Sequence, residues 1–83
     1  MMTTRKYFVC ITHDPKDKEE LLHLTPGPST AHTENSIEYW IAETDKSTVY
    51  NDIKEDFKTA GKEQLFERIK IEIRDIDEKG YVK

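Results

Sequence analysis

Apolar and polar positions follow two periods along this chain, and the change from one to the other marks out its elements. In "KYFVCITH", residues 6 to 13, Tyr7, Val9 and Ile11 alternate with Phe8, Cys10 and Thr12. Both sets are largely apolar, and β-branched and aromatic residues dominate. The pattern predicts a central strand buried on both faces. "DPKDKEELLHL", residues 14 to 24, predicts a short helix. Asp14 suits the N-cap, and Pro15 suits the first helical position, where a missing N–H costs nothing. Asp17 and Glu19 suit the positive end of the helix dipole. Leu21, Leu22 and Leu24 give only a weak apolar face, so packing rather than propensity must hold this helix.

"SIEYWIAET", residues 36 to 44, predicts a second strand, with Ile37, Tyr39 and Ile41 on one face and Glu38, Trp40 and Ala42 on the other. "TDKS" then starts a helix, with Thr44 or Asp45 as its N-cap. Val49, Tyr50, Ile53, Phe57 and Ala60 recur at helical spacing and form its expected buried stripe. Gly61 suits the position just past the helix end. Leu65 and Phe66 are expected in a short turn. Ile69, Ile71 and Ile73 alternate with Lys70, Glu72 and Arg74, which predicts a strand with one dry and one wet face. "DEKGYVK" is expected to make a terminal turn and brief return, or to fray.

One stretch fits neither period: "HLTPGPSTAHTENS", residues 23 to 36. Pro26 and Pro28 block both a helix and a central strand, so at most a short edge strand is expected near residues 30 to 33. The order is thus strand, helix, poor segment, strand, helix, strand. It predicts a small α+β, two-layer sandwich of the split βαβ, ferredoxin-like kind, with a degraded second strand. The first strand then lies between the third and the fourth. The alternative is a three-stranded α/β sheet with two helices in right-handed parallel crossovers. Either way the 83 residues make one domain, with a proline-bearing loop at 25–36.

Composition narrows the function classes. Charged residues are 36% and hydrophobic ones 35%, so the core must be small. The single cysteine, Cys10, excludes an intramolecular disulfide and suggests a reducing compartment. No apolar run approaches the roughly 20 residues of a membrane span, and the N-terminal run is too short for a signal peptide. A cytoplasmic protein is expected, or one acting in a host cytoplasm if viral. The net charge of -4 disfavours sequence-independent binding to nucleic acid and permits a basic protein partner.

The candidate chemistry is sparse. "ITHDP", residues 11 to 15, is superficially similar to the stretch in small Cas2-like nucleases of ferredoxin-like fold that keeps an aspartate near the end of the first strand. That resemblance implies that Asp14 holds a Mg²⁺ or orients a water. Asp14 before Pro15 is, however, explained completely as an N-cap, and that reading is preferred. His13, His23 and His32 match no zinc spacing and are expected to be solvated or locally hydrogen-bonded, although His13 and His32 would make a proton-transfer pair if they met. Cys10 between Val9 and Ile11 reads as a buried, inert thiol. Ser29 and Thr30 after "PGP" lack the lysine of a phosphate-binding loop.

Trp40 belongs either to the core or to an exposed sheet face, where it would be an anchor for a protein partner or a homodimer. Glu43, Asp45, Asp52, Glu55 and Asp56 are candidates for a negative patch on and before the second helix, with Lys46, Lys54 and Lys58 interleaved. With no catalytic constellation and no cofactor motif, the sequence reads as a non-enzyme. The expected function is a small acidic inhibitor or regulator that binds another protein, of the phage, mobile-element or antitoxin type. Nucleic-acid enzymes are one class of target. Its expected binding surface comprises Trp40, Glu38, Glu43, Asp45, Asp52, Glu55 and Asp56, with His32, Ser29 and Thr30 from the loop. The alternatives are a Mg-dependent nuclease using Asp14 and a homo-oligomeric structural subunit.

Overall fold

A computed structural model of the chain describes residues 4–24, 31–77 and 79–82. Strand β1 (Arg5–Thr12) leads into a 3-10 turn (Pro15–Asp17) and helix α1 (Lys18–Leu24). A two-residue strand β2 (Ala31–His32) and strand β3 (Ser36–Glu43) follow. Helices α2 (Lys46–Thr59) and α3 (Glu63–Arg68) then precede strand β4 (Lys70–Asp75). The sheet order is β2-β3-β1-β4, and every pairing is antiparallel. This is the split βαβ arrangement with a degraded second strand. The alternative with parallel crossovers is overturned by the antiparallel registers.

The helices cover one face of the sheet. Tyr7, Val9 and Ile11 of β1 and Ile37 and Tyr39 of β3 point into that layer and are buried. Val49, Ile53 and Phe57 of α2 meet them, with Leu21 of α1 and Leu65 of α3. The four-residue spacing of the α2 contacts puts all three on one helical face. Ile69, Ile71 and Ile73 pack partly buried against this core, since β4 is an edge strand.

Local chemistry sets the helix ends. Asp45, in extended conformation, caps α2 by accepting from the Thr48 N–H at 2.8 Å. Beyond its other end Gly61 has φ +72°; its N–H reaches the Lys58 carbonyl at 3.0 Å and that of Lys62 reaches Phe57 at 2.8 Å. These two bonds are a Schellman motif, and its left-handed residue is where glycine carries no Cβ penalty.

Three expectations need correction. β1 is central but not buried on both faces: Phe8 and Cys10 are half-buried and Thr12 is exposed, because no helix lies over them. Leu65 and Phe66 are not in a turn but in α3. There Leu65 is buried, and Phe66 packs edge-on to Phe57 and Tyr50 at 5.6 and 5.7 Å between ring centroids. Tyr50 and Ala60 are exposed rather than part of the buried stripe, since they flank the Val49–Ile53–Phe57 line. His13 is locally hydrogen-bonded, as one of the two expectations for it had it: it is buried, with Nδ1–H donating to the Asp14 carbonyl at 2.7 Å. The terminal return is present as a single bridge between Ile76 and Val82.

Candidate functional site: the open sheet face

The face of the sheet turned away from the helices is built by strand alternation. Its positions are Lys6, Phe8, Cys10 and Thr12 of β1, Ser36, Glu38, Trp40 and Ala42 of β3, and Lys70, Glu72 and Arg74 of β4. The registers arrange them in rows. Phe8 lies between Trp40 and Arg74. Cys10 lies between Glu38 and Glu72, with Ala31 beyond Glu38. Thr12 lies between Ser36 and Lys70.

Trp40 is 51% exposed, the only tryptophan of the chain, and stands at the β3 end of the row that Phe8 and Arg74 complete. It also walls a groove of about 630 Å³ that it shares with Lys6, Asp75, Ile76 and Gly80. The carboxylates of the adjacent row act jointly on Cys10. Burial first, and then the charges of Glu38 and Glu72, push the thiol above its ordinary value. A thiol in that environment stays protonated and is a poor nucleophile. Cys10 itself is half-buried rather than buried as its sequence neighbours suggest.

The candidates read from the sequence do not gather into one surface. Glu38 and Trp40 share the open face. Asp52, Glu55 and Asp56 are exposed on α2, in the layer behind the sheet, so they and Trp40 face different directions. With Lys46, Lys54 and Lys58 they leave α2 with three acids against three lysines. Asp45 is engaged as the α2 cap, and hydrogen bonds from the Thr48 backbone and hydroxyl hold its carboxyl below the usual carboxylate range. Glu43 sits at the end of β3 and accepts from the Thr44 N–H at 3.0 Å. His32 is exposed on β2 opposite Ile37, on the helix side of the edge. Ser29 and Thr30 lie outside the described residues.

Asp14 caps the 3-10 turn, accepting from the Lys16 N–H at 3.0 Å. His13 is buried beside it, whereas His32 is exposed. Among the described residues no three His, Cys, Asp or Glu side chains are grouped to hold a metal ion. Asp17 is a second buried polar group. Its Oδ1 accepts from Arg68 at 3.1 Å, which ties the turn after β1 to α3. Sequence reasoning misses the contributions of Phe8, Glu72 and Arg74 to the open face. Their alternation and the order of their strands are legible there, but not the register that sets Phe8 between Trp40 and Arg74 and Cys10 between Glu38 and Glu72.

No helix among the described residues is long and apolar enough to cross a membrane. Comparison with protein-family models, curated proteins and solved structures found no match to this chain.

Proposed function

We propose that this domain is an inhibitor or regulator that binds another protein through its open sheet face, with Trp40 as the anchor. The observation that carries the reading is the half-exposed Trp40, set beside Phe8 on the face that no helix covers. Large aromatics with low conformational entropy dominate binding energy when a partner desolvates them. The row of Glu38 and Glu72 beside this anchor favours a partner with Lys or Arg at the matching position. The net charge of -4 favours the approach of such a partner from a distance. A basic protein, such as a nucleic-acid-binding enzyme, fits that description, and a reducing cytoplasm fits the single thiol.

The test is capture from lysate of the native or host cell by the tagged chain, run beside Trp40→Ala. A stoichiometric partner that survives moderate salt and is lost with Trp40→Ala supports the reading. Equal capture by both proteins, or recovery of the bait alone, overturns it.

A further inference from the structure

The edge of β4 offers a second surface, which is independent of the Trp40 face. β4 is the last strand of the sheet, and no described strand pairs with Ile71–Asp75 on the side away from β1. The direction of its backbone groups follows from two hydrogen bonds. The Ile76 N–H turns inward to the Lys6 carbonyl at 3.4 Å, while the Asp77 N–H turns outward to Tyr81 at 2.9 Å. Alternation then points the N–H and C=O of Ile71, Ile73 and Asp75 outward. The terminal return, bridged at Ile76 and Val82, closes the edge beyond this stretch.

Above the same edge lies a groove of about 420 Å³ between α2 and β4, lined by Lys46, Ser47, Tyr50, Asn51, Ile71 and Ile73. Tyr50 is 42% exposed at its rim. The edge thus combines open backbone groups with an apolar shelf, the two features that strand addition uses.

We infer that the occupant is a second copy of this chain, paired antiparallel β4 to β4′ about Ile73. The charges favour this register over the one shifted by one residue on each strand; pairing about Ile71 also joins unlike charges, Lys70 with Glu72′, but sets Ile73 opposite Ile69′, outside β4, and so leaves a shorter paired stretch. With Ile73 opposite its own copy, Glu72 falls opposite Arg74′ and Arg74 opposite Glu72′, so two complementary pairs form on the open face. The register shifted by one residue on each strand sets Glu72 against Glu72′ and Lys70 against Arg74′, which like charges disfavour. Glu72 and Arg74 are about half exposed and already joined within the chain at 3.0 Å, so both are at the surface and within reach of a neighbour. On the helix side Ile73 meets Ile73′ below the two Tyr50 rings, and Ile71 lies opposite Asp75′. At the limit of the paired stretch Lys70′ takes the place of Val82, so the last bridge of the return yields there. The product is one eight-stranded sheet with both helical layers on one side and both Trp40 faces on the other.

Sedimentation equilibrium of the full chain tests this with Glu72→Arg, Arg74→Glu and the double exchange. The wild type is expected to dimerise reversibly. Each single variant places like charges opposite one another and is expected to weaken the dimer by at least about tenfold. The double exchange restores association, and an equal mixture of the two single variants forms heterodimers. Circular dichroism checks that the variants stay folded, as exposed sites should allow. A wild type that stays monomeric to millimolar concentration overturns the inference. So does a dimer that is indifferent to the single exchanges or abolished only by Trp40→Ala.

Discussion

Gly61 holds a backbone conformation that residues with a side chain rarely adopt. Its φ of +72° lies in the left-handed region, and a Cβ built there meets nothing within 4 Å, so only the backbone opposes substitution. Gly61→Ala is therefore expected to destabilise the fold by about 1 kcal/mol, read from thermal or urea unfolding. A loss near zero would mean that the Schellman turn does not contribute. Residues of this kind are legible in the sequence because their chemistry is local. Gly61 is marked there as a helix end, and Asp14 and Asp45 are marked as caps; they accept from Lys16 and Thr48 as caps do. Trp40 is not legible in the same way. Its alternation is clear, but which face the helices cover depends on the packing of α2. That is a tertiary choice not written in β3 itself.

Among the elements, α3 is the one that periodicity does not reveal. Six residues, Glu63–Arg68, are too few to show a helical repeat, and only Leu65 and Phe66 are apolar within them. Tertiary contact fixes this helix. Leu65 is buried against the core, so Leu65→Ala is expected to cost about 2–4 kcal/mol in unfolding experiments. A cost below about 1 kcal/mol would show that α3 merely lies on the surface. The ion pair from α3 to the turn after β1 gives a second measure. The Asp17 side chain is almost fully buried, and Arg68, half exposed, is its partner. Arg68→Ala leaves a buried carboxylate with less compensation and is expected to cost about 2 kcal/mol. The exposed Arg74–Glu72 pair should differ: Arg74→Ala is expected to change monomer stability by at most about 0.5 kcal/mol. Equal losses for the two arginines would refute the distinction. The prolines explain why β2 is short. Pro26 and Pro28 stand shortly before it in "TPGPST" and offer no N–H to a ladder, and the strand that follows has only two residues.

For the molecule as a whole, stability carries a pH signature. Burial first, and then the charge of Asp56, raises the Tyr39 phenol well above its ordinary value of 10.0, and burial likewise raises the Cys10 thiol above 9.0. Groups raised on folding contribute stability that is complete below their unfolded values and is lost as pH rises toward the folded ones. Stability is therefore expected to fall progressively above about pH 9, first through the thiol and then through the phenol. Cys10→Ser should remove the earlier part of that decline, and Tyr39→Phe the later part. Asp45 acts in the opposite direction. Its carboxyl is lowered by the Thr48 bonds, so its contribution is present above the ordinary carboxylate range and is lost as pH falls through the lowered value. The strand order of the molecule is legible in the sequence because few topologies join these elements without crossing connections. The assignment of faces is not, since one strand pattern is compatible with either face being covered.

The division of the surface between sheet and helices decides where a partner would sit. Trp40 and Glu72 lie on the open sheet face, and Asp52, Glu55 and Asp56 lie on the opposite layer. The decisive measurement is the affinity of the captured partner for two variants, one on each side: Trp40→Ala, and Asp52→Asn with Glu55→Gln and Asp56→Asn. Binding through the sheet predicts at least a roughly thirtyfold loss with Trp40→Ala and less than about threefold with the helix variant. The reverse order of losses would contradict it and move the binding surface to α2.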